Sequence, residues 1–296
     1  MKPGEPVGHY LTEGVQHALA GDNATALLTL RQALARQPHQ PETHLVQALV
    51  YTQQGQFAAA LAACQRALYL DDGLTEALVL RAYLYCLGKK ATAALPDLAQ
   101  VQALRPDWWP VYAIRAWVHS RLGHWEAAVQ DLHQALRLEP ASGELCYNLG
   151  LAYHALGQRQ VALEYWERAL LLQPELTEAH AQRAAVYREL KDYERSLAAY
   201  DVWVQQAPQE PRAYYGRGLV RAAQGNRQGA IEDFNQVLRL NPDSGEALFQ
   251  RGLAYSGLGQ KAAALADARR AAQIFHRQGN TTAYHRARGL VAYLQK

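Results

Sequence analysis

Residues 211–244 read PRAYYGRGLVRAAQGNRQGAIEDFNQVLRLNPDS. Small residues hold the eighth and twentieth positions, Gly218 and Ala230, and Gly225 lies between them. Pro242 stands two residues before the end. Glycine suits the left-handed cap that ends a helix, and proline just past a helix end cannot continue it. The stretch therefore reads as helix, glycine turn, helix, proline turn.

The same pattern recurs every 34 residues. Pro38, Pro106, Pro140, Pro174, Pro208 and Pro242 share that period, and Asp72 takes the one internal rung without proline. Eight repeats result: 7–40, 41–74, 75–108, 109–142, 143–176, 177–210, 211–244 and 245–278. Their eighth slot is Gly14, Ala48, Ala82, Ala116, Gly150, Ala184, Gly218 and Gly252; the twentieth is alanine throughout except Ser196. Small side chains at fixed slots let two helices approach closely, where a bulky one costs about 1–3 kcal/mol by overpacking. Between them stand Gly21, Gly55, Gly123, Gly157, Gly225 and Gly259, with Gly88 shifted by one and Lys191 in place of glycine.

Tyr51, Tyr85, Tyr153, Tyr187 and Tyr255 fill the eleventh slot, and Ala33, Ala67, Ala135, Ala169 and Ala271 the twenty-seventh. With the period, the small residues and the proline, the chain resembles the tetratricopeptide repeat family over residues 7–278. The resemblance implies an all-α, right-handed superhelical solenoid of antiparallel helix pairs. Residues 1–6 are expected to be a flexible N-terminus, and residues 279–296 a C-terminal capping helix with a polar outer face.

Composition narrows the function. At 49% hydrophobic and 19% charged, the chain has enough apolar residues for a continuous core. A net charge of +3 is too small for the basic stripe of a nucleic-acid binder. Three cysteines, Cys64, Cys86 and Cys146, form neither a metal-ligand spacing nor a disulfide framework, which fits a reducing cytoplasm. No signal sequence or membrane span is expected. The eleven histidines are scattered; no metal, cofactor, phosphate-cradling loop or catalytic constellation is expected, and an enzyme would be one without a recognisable motif.

Arginine occupies the seventh slot at Arg81, Arg115, Arg183, Arg217 and Arg251, and aspartate the twenty-third at Asp97, Asp131, Asp233 and Asp267. Each aspartate falls in a repeat that has the arginine, so Arg81–Asp97, Arg115–Asp131, Arg217–Asp233 and Arg251–Asp267 are expected to tie the two helices of their repeats.

The resemblance further implies that the first helix of each repeat lines a concave face, with slots 2, 5, 9, 12 and 13 making ligand contacts. Helical spacing puts these slots on one side. That selects Tyr83, Trp117, Arg121, Tyr147, Leu151, His154, Arg188, Tyr215, Leu219 and Phe249, beside a row of glutamates at slot 2: Glu42, Glu76, Glu144, Glu178 and Glu246. Chaperone-binding members hold a C-terminal carboxylate with lysine at slot 5 and asparagine at slot 9; neither occurs here, so no such clamp is expected. The asparagine ladder of sugar-transferase members is absent too, and Asn148 stands alone at slot 6.

Trp108, Trp109, Trp117 and Trp125 crowd together; Trp125 reads as core, and Trp108 and Trp109 as an exposed hot spot or a packed junction. Pro96 falls near the start of a second helix and is expected to delay or kink it, and Gly216 is expected to make room for Trp203. The expected function is a protein–protein interaction scaffold that takes a partner's peptide or helix in an apolar and aromatic groove. The stretch 275–280, FHRQGN, resembles endings of tetratricopeptide proteins of photosynthetic bacteria, some of which assist photosystem assembly. That leaves an assembly factor at a membrane-associated complex as the alternative. The basic end formed by Arg269, Arg270, Arg277, Arg286, Arg288 and Lys296 suits peripheral membrane contact, and exposed aromatic residues leave a homo-oligomer open.

Overall fold

The computed structural model describes residues 7–296, so the expected flexible N-terminus lies outside the described residues. These hold seventeen α-helices, one short 3-10 segment and no strand. They form two compact units, the first ending at Gly157 and the second running from Gln158 to Lys296.

The first unit contains α1 (Val7–Leu19), α2 (Asn23–Arg36), α3 (Pro41–Gln53), α4 (Phe57–Leu70), α5 (Thr75–Leu87), α6 (Leu95–Leu104), α7 (Trp109–Leu122), α8 (Trp125–Leu138) and α9 (Gly143–Ala155). The second contains α10 (Arg159–Leu172), α11 (Thr177–Glu189), α12 (Tyr193–Gln206), α13 (Pro211–Ala223), α14 (Arg227–Leu240), α15 (Gly245–Gly257), α16 (Lys261–Arg277) and α17 (Thr281–Gln295). Within each unit every helix packs on the next along the chain, so each is an α-solenoid of helix hairpins.

The hairpins close where the side chains are smallest. Ala48, Ala60, Ala82, Ala94, Ala184 and Ser196 have no exposed surface. A Cβ on Gly14 would stand 2.7 Å from Leu30 Cδ2, and one on Gly218 2.8 Å from Phe234 Cε1. Ser196 Oγ donates to the Ala184 carbonyl at 2.8 Å, a direct bond between the twentieth and eighth slots.

Turn geometry departs from the sequence reading at one place. Six interhelical glycines, from Gly21 to Gly259, take positive φ, but in the third repeat Lys89 (φ 57°) does so rather than Gly88. Gly88 instead ends α5 with φ −77°. Lys191, at φ 60°, replaces glycine as expected. Pro96 also acts as its position requires. The 3-10 segment Ala91–Ala94 comes first, and α6 begins with Pro96 in its first turn, where the missing N–H costs no helical bond. α6 has ten residues where α8 has fourteen.

Gly216 serves a different neighbour from the one expected. A Cβ there would collide with the Tyr200 ring, not with Trp203. Trp203 is 4% exposed and stacks on Tyr200 with centroids 6.1 Å apart. At the end of the chain α16 runs past the last rung, and α17 lays Ala287, Leu290, Val291 and Leu294 onto Leu248 and Phe275. The stretch 275–280 is accounted for by this turn: Phe275 is buried, Gly279 is left-handed and Asn280 caps α17 through the Ala283 N–H.

The proline rungs have a second use. Tyr112 donates its hydroxyl to the Pro106 carbonyl at 2.8 Å, and Tyr214 to Pro208 at 3.2 Å. His180 Nε2 takes the same place opposite Pro174 at 3.2 Å. These rings all hold the fourth slot, so a ring of one repeat bonds the turn of the repeat before it. His44 also holds that slot, but its Nε2 is buried without a hydrogen-bond partner.

Burial holds both His44 and His180 below the ordinary imidazole range, and at His180 it outweighs the upward pull of the Pro174 carbonyl. Near pH 6 the folded chain therefore binds fewer protons than the unfolded chain, and stability falls as pH drops below about 6.5. The His180→Tyr variant, built like Tyr112 and Tyr214, is expected to lose less stability than the parent between pH 7.5 and 5.5 in thermal melts followed by circular dichroism. For the left-handed lysines, Lys89→Gly and Lys191→Gly are each expected to raise unfolding free energy by about 1 kcal/mol, and Gly123→Ala to lower it similarly, in denaturant titrations.

Candidate functional site

In the first unit the N-terminal helices of successive hairpins, α3, α5, α7 and α9, present an open cavity of about 660 Å³. Its walls are Leu49, Val79, Leu80, Tyr83, Trp108, Ala113, Ile114 and Trp117, with Glu76 and Asn148 as the polar groups. Tyr83 and Trp117 stack at 6.0 Å and 25°, and each keeps about two fifths of its surface in solvent (41% and 37%). Arg121 lies over the Trp117 ring at 5.7 Å. Arg105 covers Trp108 at 4.7 Å and reaches Glu76 at 3.8 Å, fixing the rim. A second cavity of about 270 Å³ shares Ala113, Trp117 and Asn148 and adds Ser120, Trp125 and Leu151.

The structure brings Tyr83, Trp117, Arg121 and Leu151 together around these cavities. Tyr147 and His154 are half-buried on α9 outside both linings. Arg188, Tyr215 and Leu219 belong to the second unit and are half-buried. Phe249, expected on the groove, is 8% exposed, because α17 closes over it and Arg286 covers its ring at 5.1 Å. Trp108 and Trp109 are half-buried rather than exposed, and only Trp108 lines the cavity. Trp125 is half-buried in the second cavity instead of lying in the core.

Sequence reasoning missed Leu80, Ile114 and Asn148, all at slot 6. Slot 6 follows slot 2 by four residues and precedes slot 9 by three, so the same helical spacing was the available signal.

The arginine row forms forks to carboxylates. Arg81 Nε and Nη2 donate to Asp97 at 2.8 and 2.6 Å, and Arg115 to Asp131 at 2.9 and 2.6 Å. Arg251 meets Asp267 with two bonds of 2.7 Å. Arg217 Nη2 donates to Asp233 at 2.7 Å, and Arg221 approaches the same carboxylate at 3.1 Å. The hydrogen bonds to Asp97, Asp131 and Asp267 raise Arg81, Arg115 and Arg251 above the ordinary guanidinium value. The outer nitrogen of three forks reaches back one repeat: Arg115 Nη1 to Gln102, and Arg217 Nη1 to Asp201 and Arg251 Nη1 to Asn235 at 2.8 and 2.7 Å. Arg183 makes none of these forks, since Ala199 stands where the aspartate would be.

The cysteine thiols are buried, and burial pushes Cys64 up to about 12. Among the described residues no three His, Cys, Asp or Glu side chains are grouped to hold a metal. None of the described helices is long and apolar enough to cross a membrane.

A protein made of such helix hairpins, closed at small residues and offering its first helices to solvent, is a helical repeat protein. The particular family follows from comparison. Tetratricopeptide repeat models match residues 13–74, 143–176, 183–248 and 245–275, and a TPR repeat model matches 120–157. The chain belongs to the tetratricopeptide repeat family.

Solved structures agree on the fold. MamA is 21% identical with a TM-score of 0.54, over 58% of this chain and 94% of that one. PilF of Pseudomonas aeruginosa is 21% identical with a TM-score of 0.58, over 76% and 99%. A chain of the APC/C hetero-tetramer Cut9–Hcn1 is 18% identical with a TM-score of 0.60, over 81% and 48%. No curated protein matches the sequence. Tetratricopeptide repeat proteins generally bind protein partners and serve as scaffolds.

Asp233 is 2% exposed, and removing it leaves the partly buried Arg217 guanidinium with only the exposed Asp201. Asp233→Ala is expected to cost about 3 kcal/mol in chemical denaturation, and far less when combined with Arg217→Met and Arg221→Met.

Proposed function

We propose that this chain is a non-enzymatic scaffold of eight 34-residue repeats closed by α17. Its partner docks a helix or extended peptide in the aromatic cavity of the first unit. The observation that carries this reading is the Tyr83–Trp117 stack, which leaves two large rings partly in solvent on the wall of an apolar cavity. Large aromatic residues at the centre of an interface carry most of its binding energy. Leu49, Val79 and Ile114 supply apolar contact around the stack. Asn148 offers both a donor and an acceptor to a peptide backbone.

The test places a photo-crosslinking amino acid at Ile114 and identifies the captured partner by mass spectrometry. Tyr83→Ala combined with Trp117→Ala is expected to weaken that partner's affinity by about thirtyfold, equal to about 2 kcal/mol at the hot spot. Tyr293→Ala, which removes an exposed ring on α17, serves as the control and leaves affinity unchanged. Unaltered binding by the double variant would reject the site.

A further inference from the structure

Arg183 differs from the other members of its row. In four repeats an aspartate sixteen positions on receives the arginine fork. Sixteen positions beyond Arg183 stands Ala199. Sixteen positions before it, where Asp201 serves Arg217 and Asn235 serves Arg251, stands Glu167. Glu167 is engaged elsewhere, accepting the Tyr187 hydroxyl at 2.9 Å. Arg183 Nε is consequently buried without a hydrogen-bond partner.

The space left is real. Arg183, Ala199, Glu167, Tyr187 and Arg195 line a cavity of about 550 Å³ within the second unit. Arg195 lies over the Tyr187 ring at 5.7 Å and adds a second positive charge to the wall. It also faces Asp192 at 3.6 Å. Buried polar groups in folded proteins are nearly always hydrogen-bonded, and an orphaned donor calls for a partner.

We propose that this cavity binds a carboxylate, which takes the place of the missing aspartate against Arg183, and that an Asp or Glu side chain of a partner peptide supplies it. The geometry of the ligand is set by the Arg81, Arg115 and Arg251 forks: two oxygens, one on Nε and one on Nη2. A single negative charge suits the wall better than a phosphate dianion, since Glu167 stands beside the vacancy. The site is separate from the aromatic cavity and does not depend on it.

The experiment observes the arginine Nε–H groups of the full chain by nitrogen-15 NMR. The protein is titrated at constant ionic strength with the blocked tripeptide acetyl-Ser-Asp-Ser-amide, with its Asn counterpart, with sodium acetate and with sodium chloride. The Arg183 Nε–H resonance is expected to move saturably with the Asp peptide and not with the Asn peptide or chloride, while the four paired arginines stay still. Ala199→Asp, which restores the internal partner, is expected to weaken that response at least tenfold and to raise the melting temperature. Ala199→Asn leaves the cavity without an added charge acceptor and provides the comparison should the aspartate variant fold poorly; its response is expected to persist in weakened form. Saturation by acetate alone would keep the carboxylate site and overturn the peptide as its source. Absence of any carboxylate response, or a full response in Ala199→Asp, would overturn the proposal.

Discussion

Within each unit the hairpins depend on two helices approaching until little more than a hydrogen or a methyl group fits between them. At Gly14 and Gly218 even a methyl would press on Leu30 or Phe234. At Ser196 the added oxygen is tolerated because it bonds the facing carbonyl of Ala184. That close contact fixes the register of the second helix against the first. A fixed register is what lets an arginine on one helix find an aspartate sixteen residues later, repeat after repeat. It also determines which faces of α3, α5, α7 and α9 are left for solvent, and so where an apolar cavity forms.

Much of this was legible in the sequence because it recurs. Small residues at two slots, glycine between them and proline at the end were enough to place the helices. What stayed hidden was local. The left-handed residue of the third repeat is Lys89, because turn length decides which position must reverse the chain, whatever glycine stands nearby. Gly216 yields to Tyr200 because a helical residue meets the neighbour at its own height, not the largest ring in the vicinity. Phe249 is lost from the groove because α17 packs over it, a contact that the repeat pattern does not encode. Leu80, Ile114 and Asn148 were passed over although their spacing put them on the cavity face; a slot list inherited from the family was narrower than the helix itself.

The two cavities differ in kind. One is a wall of aromatic and aliphatic side chains with a stacked pair of rings at its centre. The other is a polar recess built around a cation that lacks its usual counter-ion. On the readings proposed above, area and shape dominate recognition at the first, and charge and geometry at the second.

Alanine at position 199, in the slot that holds aspartate in four other repeats, has a consequence for how such proteins diversify. The arginine fork is a structural tie wherever its partner is present, so the guanidinium is already positioned and held by the fold. One nucleotide change converts an aspartate codon to an alanine codon; on the carboxylate-site proposal, that change exchanges a strut for a receptor at the cost of the tie. On that proposal each tied hairpin holds an anion site closed by its own aspartate, and a single mutation opens or retires it while neighbouring repeats keep the architecture standing.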